Sequence, residues 1–80
     1  MRKPGATLRN ILADNIRNYR NHKGLSQEEL ADICGLHRTY VGSVERSERN
    51  VTLSTLEVFA KALSASVPDL LTRKKRVHGK

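Results

Sequence analysis

Between Ala6 and His22, apolar side chains fall at Leu8, Ile11, Leu12, Ile16 and Tyr19. Gaps of three and four draw a single stripe down a helix, and Gly24 is a natural stop. The beat restarts in SQEELADICG. Ser26 stands three residues before Glu29, the spacing of a capping box; Leu30, Ile33 and Cys34 are expected to point inward, and Gly35 ends the helix. A third segment starts near His37 and runs to about Arg46, followed by a polar connection, SERN. Thr52 can cap a fourth helix with Leu53, Leu56, Phe59, Ala60 and Leu63 on its buried side. Ser66 before Val67-Pro68-Asp69 signals a short fifth helix, since proline is tolerated in a first turn. Its Leu70 and Leu71 are either core or interface. No repeat and no strand-like alternation interrupts this pattern, which predicts an all-α domain of five short helices.

Eighty residues at 38% hydrophobic allow one domain with one small core. No apolar run is long enough to cross a membrane, and the opening residues carry no signal-peptide pattern. The single Cys34 excludes an internal disulfide framework and a multi-cysteine metal site, and a reducing, cytoplasmic setting fits. The net charge of +7 is unevenly placed. Arg2, Lys3, Arg73, Lys74, Lys75, Arg76 and Lys80 hold seven of the 15 basic residues, leaving eight basic against eight acidic in residues 4–72. The excess therefore describes sticky ends more than a basic body. Residues 1–5 read as a mobile basic arm, 6–72 as the domain, and 73–80 as a mobile basic tail. The tail either keeps the chain soluble or adds salt-sensitive phosphate contacts.

The turn around Gly35 carries the most information. Two helices joined by so short a turn must cross steeply, the helix-turn-helix geometry. That crossing needs a small residue where one helix passes over the other, and Ala31 is there. It needs a residue tolerant of positive φ in the turn, and Gly35 is there. Leu30, Cys34, Leu36, Val41 and Val44 can lock both helices to the body. At about 100° per residue, Thr39, Ser43 and Arg46 point most nearly away from a core centred between Val41 and Val44. Gly42 lies beside them, Arg38 and Tyr40 flank the face, and Glu45 falls near its inner edge. Arginine can reach guanine O6 and N7, and threonine can meet a thymine methyl, so a major groove accepts such a face. Gly42 costs the helix roughly 1 kcal/mol relative to alanine, and bare backbone there allows close approach.

The stretch GLSQEELADICGLHRTYVGSVERSERNVTLSTLEVFAKAL resembles the phage-repressor-type helix-turn-helix domains. RTYVGSVERSERNVT is similar to the controller proteins of bacterial restriction-modification systems. The resemblance spans about residues 7–71 and implies a five-helix, lambda-repressor-like fold and a homodimer on a roughly palindromic double-stranded DNA operator. It implies that Arg38, Thr39 and Ser43 read bases. Gln27 matches a phosphate contact beside a helix N-terminus. Tyr40, Arg49 and Asn50 match positions that hold the DNA backbone or the operator centre, Arg46 is grouped with them, and Thr52 and Thr55 look like further phosphate contacts. Arg20 and Glu45 match an internal ion pair. For the dimer, Val67, Leu70 and Leu71 with part of the fourth helix offer an apolar patch. RNA polymerase is a further partner that such a controller implies, and the bacterial nucleoid its place. His37 departs from the family pattern, where Ser, Asp or Thr commonly caps the third helix; this start is then looser, or His37 itself touches DNA.

Other chemistry finds little support. Cys34 reads as a small buried apolar group. His22, His37 and His78 lack ligand spacing with one another or with Cys34, so no metal and no cofactor is expected. No phosphate-binding glycine loop, paired-carboxylate pocket or nucleophile triad appears, and no enzyme activity is expected. Glu48 reads as loop solvation or as a restraint on Arg49. An antitoxin or phage-type repressor, and a protein-interaction module reusing this fold, remain the alternatives.

Overall fold

Among the described residues, four of the five helices begin at a side chain that accepts from one of their first free N–H groups, and the first begins behind Gly5 with no such cap. A computed structural model describes residues 5–73, and the expectations for the arm up to Pro4 and the tail from Lys74 lie outside the described residues. The elements are α1 (Ala6–His22), α2 (Gln27–Cys34), α3 (Arg38–Glu45), α4 (Leu53–Leu63) and α5 (Val67–Leu71). Ser26 and Glu29 form the reciprocal capping box at α2, with N···O distances of 2.9 and 2.8 Å. Ser66 and Asp69 repeat it at α5, and Thr52 Oγ1 accepts from the Thr55 N–H at α4.

The helix ends are as specific. Gly35, at φ +68°, closes α2: its N–H donates to the Asp32 carbonyl and that of Leu36 to the Ala31 carbonyl. A Cβ at this backbone conformation is strained, so glycine fits the turn into α3. The same pattern ends α3, but there the left-handed residue is Ser47, at φ +64°. A non-glycine residue in that region costs of order 1 kcal/mol or more, and it sits directly before Glu48 and Arg49.

α2 packs across α3, α1 packs against α3, α4 and α5, and α4 also packs against α2 and α5. Ile16, Leu30, Val41, Val44, Phe59, Leu63 and Leu70 are fully buried between them. Each such side chain stabilises the fold by about 1.5–3 kcal/mol. Ala31, 1% exposed, sits in this core and admits α3 across α2. No described helix is long and apolar enough to cross a membrane.

Several positions depart from the expectations drawn from the sequence. Ile33 is 58% exposed. With Leu30 and Ala31 both buried, it falls roughly 110° from the middle of the covered face at about 100° per residue. Leu53 is 75% exposed, because it occupies the first turn of α4, beyond the reach of the core. Cys34 is only half-buried at the last turn of α2. Burial still raises its thiol pKa, which disfavours the reactive thiolate. Leu70 is wholly inside the chain's own core, so its side chain is not offered to a partner.

Asn15, on α1, was not singled out by the sequence. It is 3% exposed, and its Nδ2 donates toward the carbonyls of Asp69, Leu70 and Thr72 at 3.2, 2.8 and 2.9 Å. The last carbonyls of a helix have no partner within it. One amide from α1 thus fastens the end of α5.

Candidate nucleic-acid interface

α3 is held at a fixed angle by a buried charge cluster. Glu45, 3% exposed, accepts from Arg20 Nε at 2.6 Å and Nη2 at 3.0 Å, and from Gln27 Nε2 at 3.0 Å. Arg20 Nη1 donates to the Leu25 carbonyl at 2.8 Å, and Arg17 Nη1 to the Glu45 carbonyl at 2.7 Å. The cluster joins α1, the turn before α2, the first residue of α2 and the last of α3. Hydrogen bonding to Glu45 outweighs desolvation and raises the pKa of Arg20 above its ordinary value. Such a buried pair fixes orientation more surely than it adds net stability.

This arrangement changes the picture for Gln27. Its side-chain donor is engaged by Glu45, and its Oε1 lies 3.4 Å from where a Cβ on Gly42 would stand. A phosphate at the start of α2 would meet backbone N–H groups, with the second N–H of the Gln27 amide as a further donor while the first stays on Glu45.

Along α3, Arg38 and Thr39 are exposed in the first turn and Arg46 at the end. Tyr40 is half-buried. Ser43 departs from its outward angle on the wheel: it is 5% exposed. Arg49 returns from the following loop, donates Nε to Ser43 Oγ at 3.1 Å, and sets its guanidinium 5.4 Å from the Tyr40 ring centroid. Gly42 is covered in the same way, with Arg46 Nη1 3.1 Å from the position of an added Cβ. Long, flexible arginines thus shield the middle of the helix, and such a cover can be displaced.

Glu48 pairs with Arg46, Nε to Oε2 at 3.1 Å, and not with Arg49. Both partners are exposed, so the bridge is weak. Asn50 is exposed and accepts from Arg9 Nη1 at 3.2 Å, while Arg9 Nε donates to the Ser47 carbonyl at 3.3 Å. Thr52 and Thr55 group their hydroxyls, 3.0 Å apart, at the N-terminus of α4. Helix dipole and free N–H groups favour an anion there. Among the described residues no group of three His, Cys, Asp or Glu side chains could hold a metal ion.

His37 is the cap of α3: its Nδ1 accepts from the Thr39 N–H at 3.1 Å. This requires Nδ1 to carry no proton. Serine, a stronger capping residue, should do better. H37S is expected to raise stability by about 0.5 kcal/mol, read as a higher urea midpoint at unchanged slope. A lower midpoint would mean that the imidazole contributes more than its one cap bond.

A second surface lies beside the loop. Leu8 (37% exposed), Leu53, Val51 and Leu71 line an apolar groove of about 130 Å³ between α1, α4 and the end of α5. Val67 is half-buried. Leu8 and Leu53 were read as inward-facing in the sequence, because periodicity marks a stripe without saying where its cover ends.

Comparison with known proteins agrees with this geometry. A family model described as helix-turn-helix matches residues 16–70. The control protein C.SmaI of Serratia marcescens is 70% identical over 66 residues, 82% of this chain and 79% of that protein. The crystal structure of the hypothetical transcription factor NHTF from Neisseria superposes with a TM-score of 0.81 at 47% identity, covering 91% of this chain and 85% of that one. The restriction-modification controller protein C.AhdI from Aeromonas hydrophila superposes at 0.74 with 44% identity, covering 78% and 94%. By sequence and by fold, this chain belongs to the helix-turn-helix family.

Proposed function

We propose that the chain is a sequence-specific, dimeric DNA-binding transcription regulator that acts beside its own gene, as the controller of a restriction-modification operon. One observation carries this reading: Arg38 and Thr39 stand exposed on the first turn of a helix that a buried ion pair holds rigidly against the body. A rigid helix with exposed arginine and hydroxyl groups is built to enter a major groove. The likeness to a restriction-modification controller, 44% identical over most of both chains, supports the finer assignment.

In this reading Arg38 and Thr39 discriminate bases. Tyr40, Arg46, Arg49, Asn50, Thr52 and Thr55, with the N-terminus of α2 at Gln27, set the register on the backbone and at the operator centre. The partner copy covers the groove at Leu8, Leu53 and Leu71, and half-buried Val67 on α5 is the remaining apolar residue of the patch. The place is the bacterial cytoplasm, on the nucleoid, and RNA polymerase is the further partner of a controller. The tail from Arg73 adds non-specific phosphate contacts. The role is binding, with no catalytic step.

Arg38→Ala tests it. Binding to the operator should weaken by about 1–3 kcal/mol with relaxed preference at one base pair, measured by gel shift on operator and random duplexes. Equal losses on both would remove Arg38 from base reading.

A further inference from the structure

The apolar groove and the loop after α3 share one side chain. Arg9, on α1, lines the groove together with Leu8, Leu12, Leu53 and Leu71. From that wall its guanidinium crosses to residues 38 and 41 places further along the chain. Nε donates to the Ser47 carbonyl at 3.3 Å and Nη1 to Asn50 Oδ1 at 3.2 Å.

Both ends of that reach need holding. Ser47 keeps a left-handed backbone, φ +64°, which a residue other than glycine adopts only where its surroundings enforce it. Asn50 is exposed, and with Oδ1 engaged it has its two amide donors left to offer. In a single copy the restraint is weak, because the Asn50 bond is exposed and the Ser47 bond only part-buried. Water competes for both. A cover over the groove changes that. Leu53 is 75% exposed and Leu8 37%, so a second copy seated on them shuts water away from the Arg9 stem and its two bonds. A hydrogen bond from a charged donor is stronger once water is excluded.

We propose that Arg9 is a positioning residue that couples the dimer groove to the operator-facing loop: a second copy over the groove locks Arg9, and Arg9 locks Ser47 and Asn50. The inference rests on the dimeric DNA-binding reading above and deepens it. Pairing of two copies then does more than set the distance between half-sites; it also stiffens the loop of each copy before DNA arrives. The coupling is reciprocal, so a loop held on the operator tightens the dimer.

The test compares the native chain with R9M and R9K, at concentrations where sedimentation shows each fully monomeric or fully dimeric. R9M keeps an unbranched apolar stem without the fork. R9K keeps the charge, but its one nitrogen cannot occupy both donor positions. The readout is amide exchange at Ser47 and Glu48, whose N–H groups donate to the Val44 and Ser43 carbonyls. In the native chain their protection should rise about fivefold or more on dimerisation, the lower end of a site-to-site coupling. In R9M and R9K it should rise by less than about twofold. Protection at Leu56, another groove residue, should rise in all three. A merely structural role for Arg9 would lower loop protection equally in monomer and dimer and leave the rise intact, a result that would overturn the proposal. Operator binding by both variants should be weaker by about fivefold. Native-strength binding by R9K with a loss in R9M would make Arg9 a charge alone, and would overturn it too. A native chain that dimerises with no change at Ser47 and Glu48 sinks the coupling and leaves the dimer standing; one that never dimerises sinks both. If no operator is bound, the DNA-binding reading falls, and the exchange rates still decide what Arg9 links.

Discussion

Replacing Glu45 by alanine is expected to destabilise the domain by about 3–5 kcal/mol, enough to unfold much of a chain this small. The effect comes mainly from what is left behind. Arg20 has a side chain only 13% exposed and a charge whose counter-ion has gone, and Gln27 loses its acceptor. An uncompensated buried charge is costly, whereas removing both members of a pair often is not. The double variant R20M/E45L should therefore regain most of the loss. The two differ in function, however: the apolar pair restores packing without the hydrogen bonds that fix α3 to α1 and α2. Urea melts of E45A and R20M/E45L check the energetics. A loss below about 1 kcal/mol for E45A, the scale of an exposed bridge, would show that the cluster is not the brace described.

The second large effect is expected at Asn15. Asn15→Asp removes the amide protons and sets an acceptor-only carboxylate against the carbonyls of Asp69, Leu70 and Thr72. Repulsion and the lost bonds together should cost about 3 kcal/mol or more. Asn15→Ala, which leaves the carbonyls unsatisfied without adding charge, should cost about 2 kcal/mol. α5 has only five residues and cannot hold itself as a helix. It should detach first, exposing Leu70 and loosening Leu71 at the edge of the apolar groove. Hydrogen exchange in residues 66–72 of N15A should rise well before the rest of the domain, and sedimentation should show the proposed dimer weakened. Uniform protection across the chain would mean that α5 is held by Leu70 alone.

These two sites differ in how far the sequence announced them. The helix starts were legible because caps are local: Ser26 with Glu29, Thr52 and Ser66 satisfy N–H groups within three residues. The α2–α3 crossing was legible because it needs Ala31 and Gly35 within a short span. Glu45 lay at the inner edge of a wheel, but its joining to Arg20 came from family resemblance. Asn15 was hidden, since its partners lie 54 to 57 residues away and exist only once α5 has docked. Ile33 and Leu53 were misread for a related reason: a helical period finds the apolar stripe, and only neighbouring elements decide which flank is covered. At Ser43 the wheel pointed outward, where the side chain is 5% exposed, and could say nothing of a loop arginine folding back upon it.

The most direct measurement is a footprint on the DNA immediately upstream of the chain's own gene, with native protein and R38A side by side. Two protected half-sites should appear, their centres roughly 34 Å apart along one face of the duplex, and both should vanish with R38A at concentrations where random DNA is still bound. Protection that is absent, or that survives the loss of the Arg38 guanidinium unchanged, would contradict the claim that the outer face of α3 reads the operator.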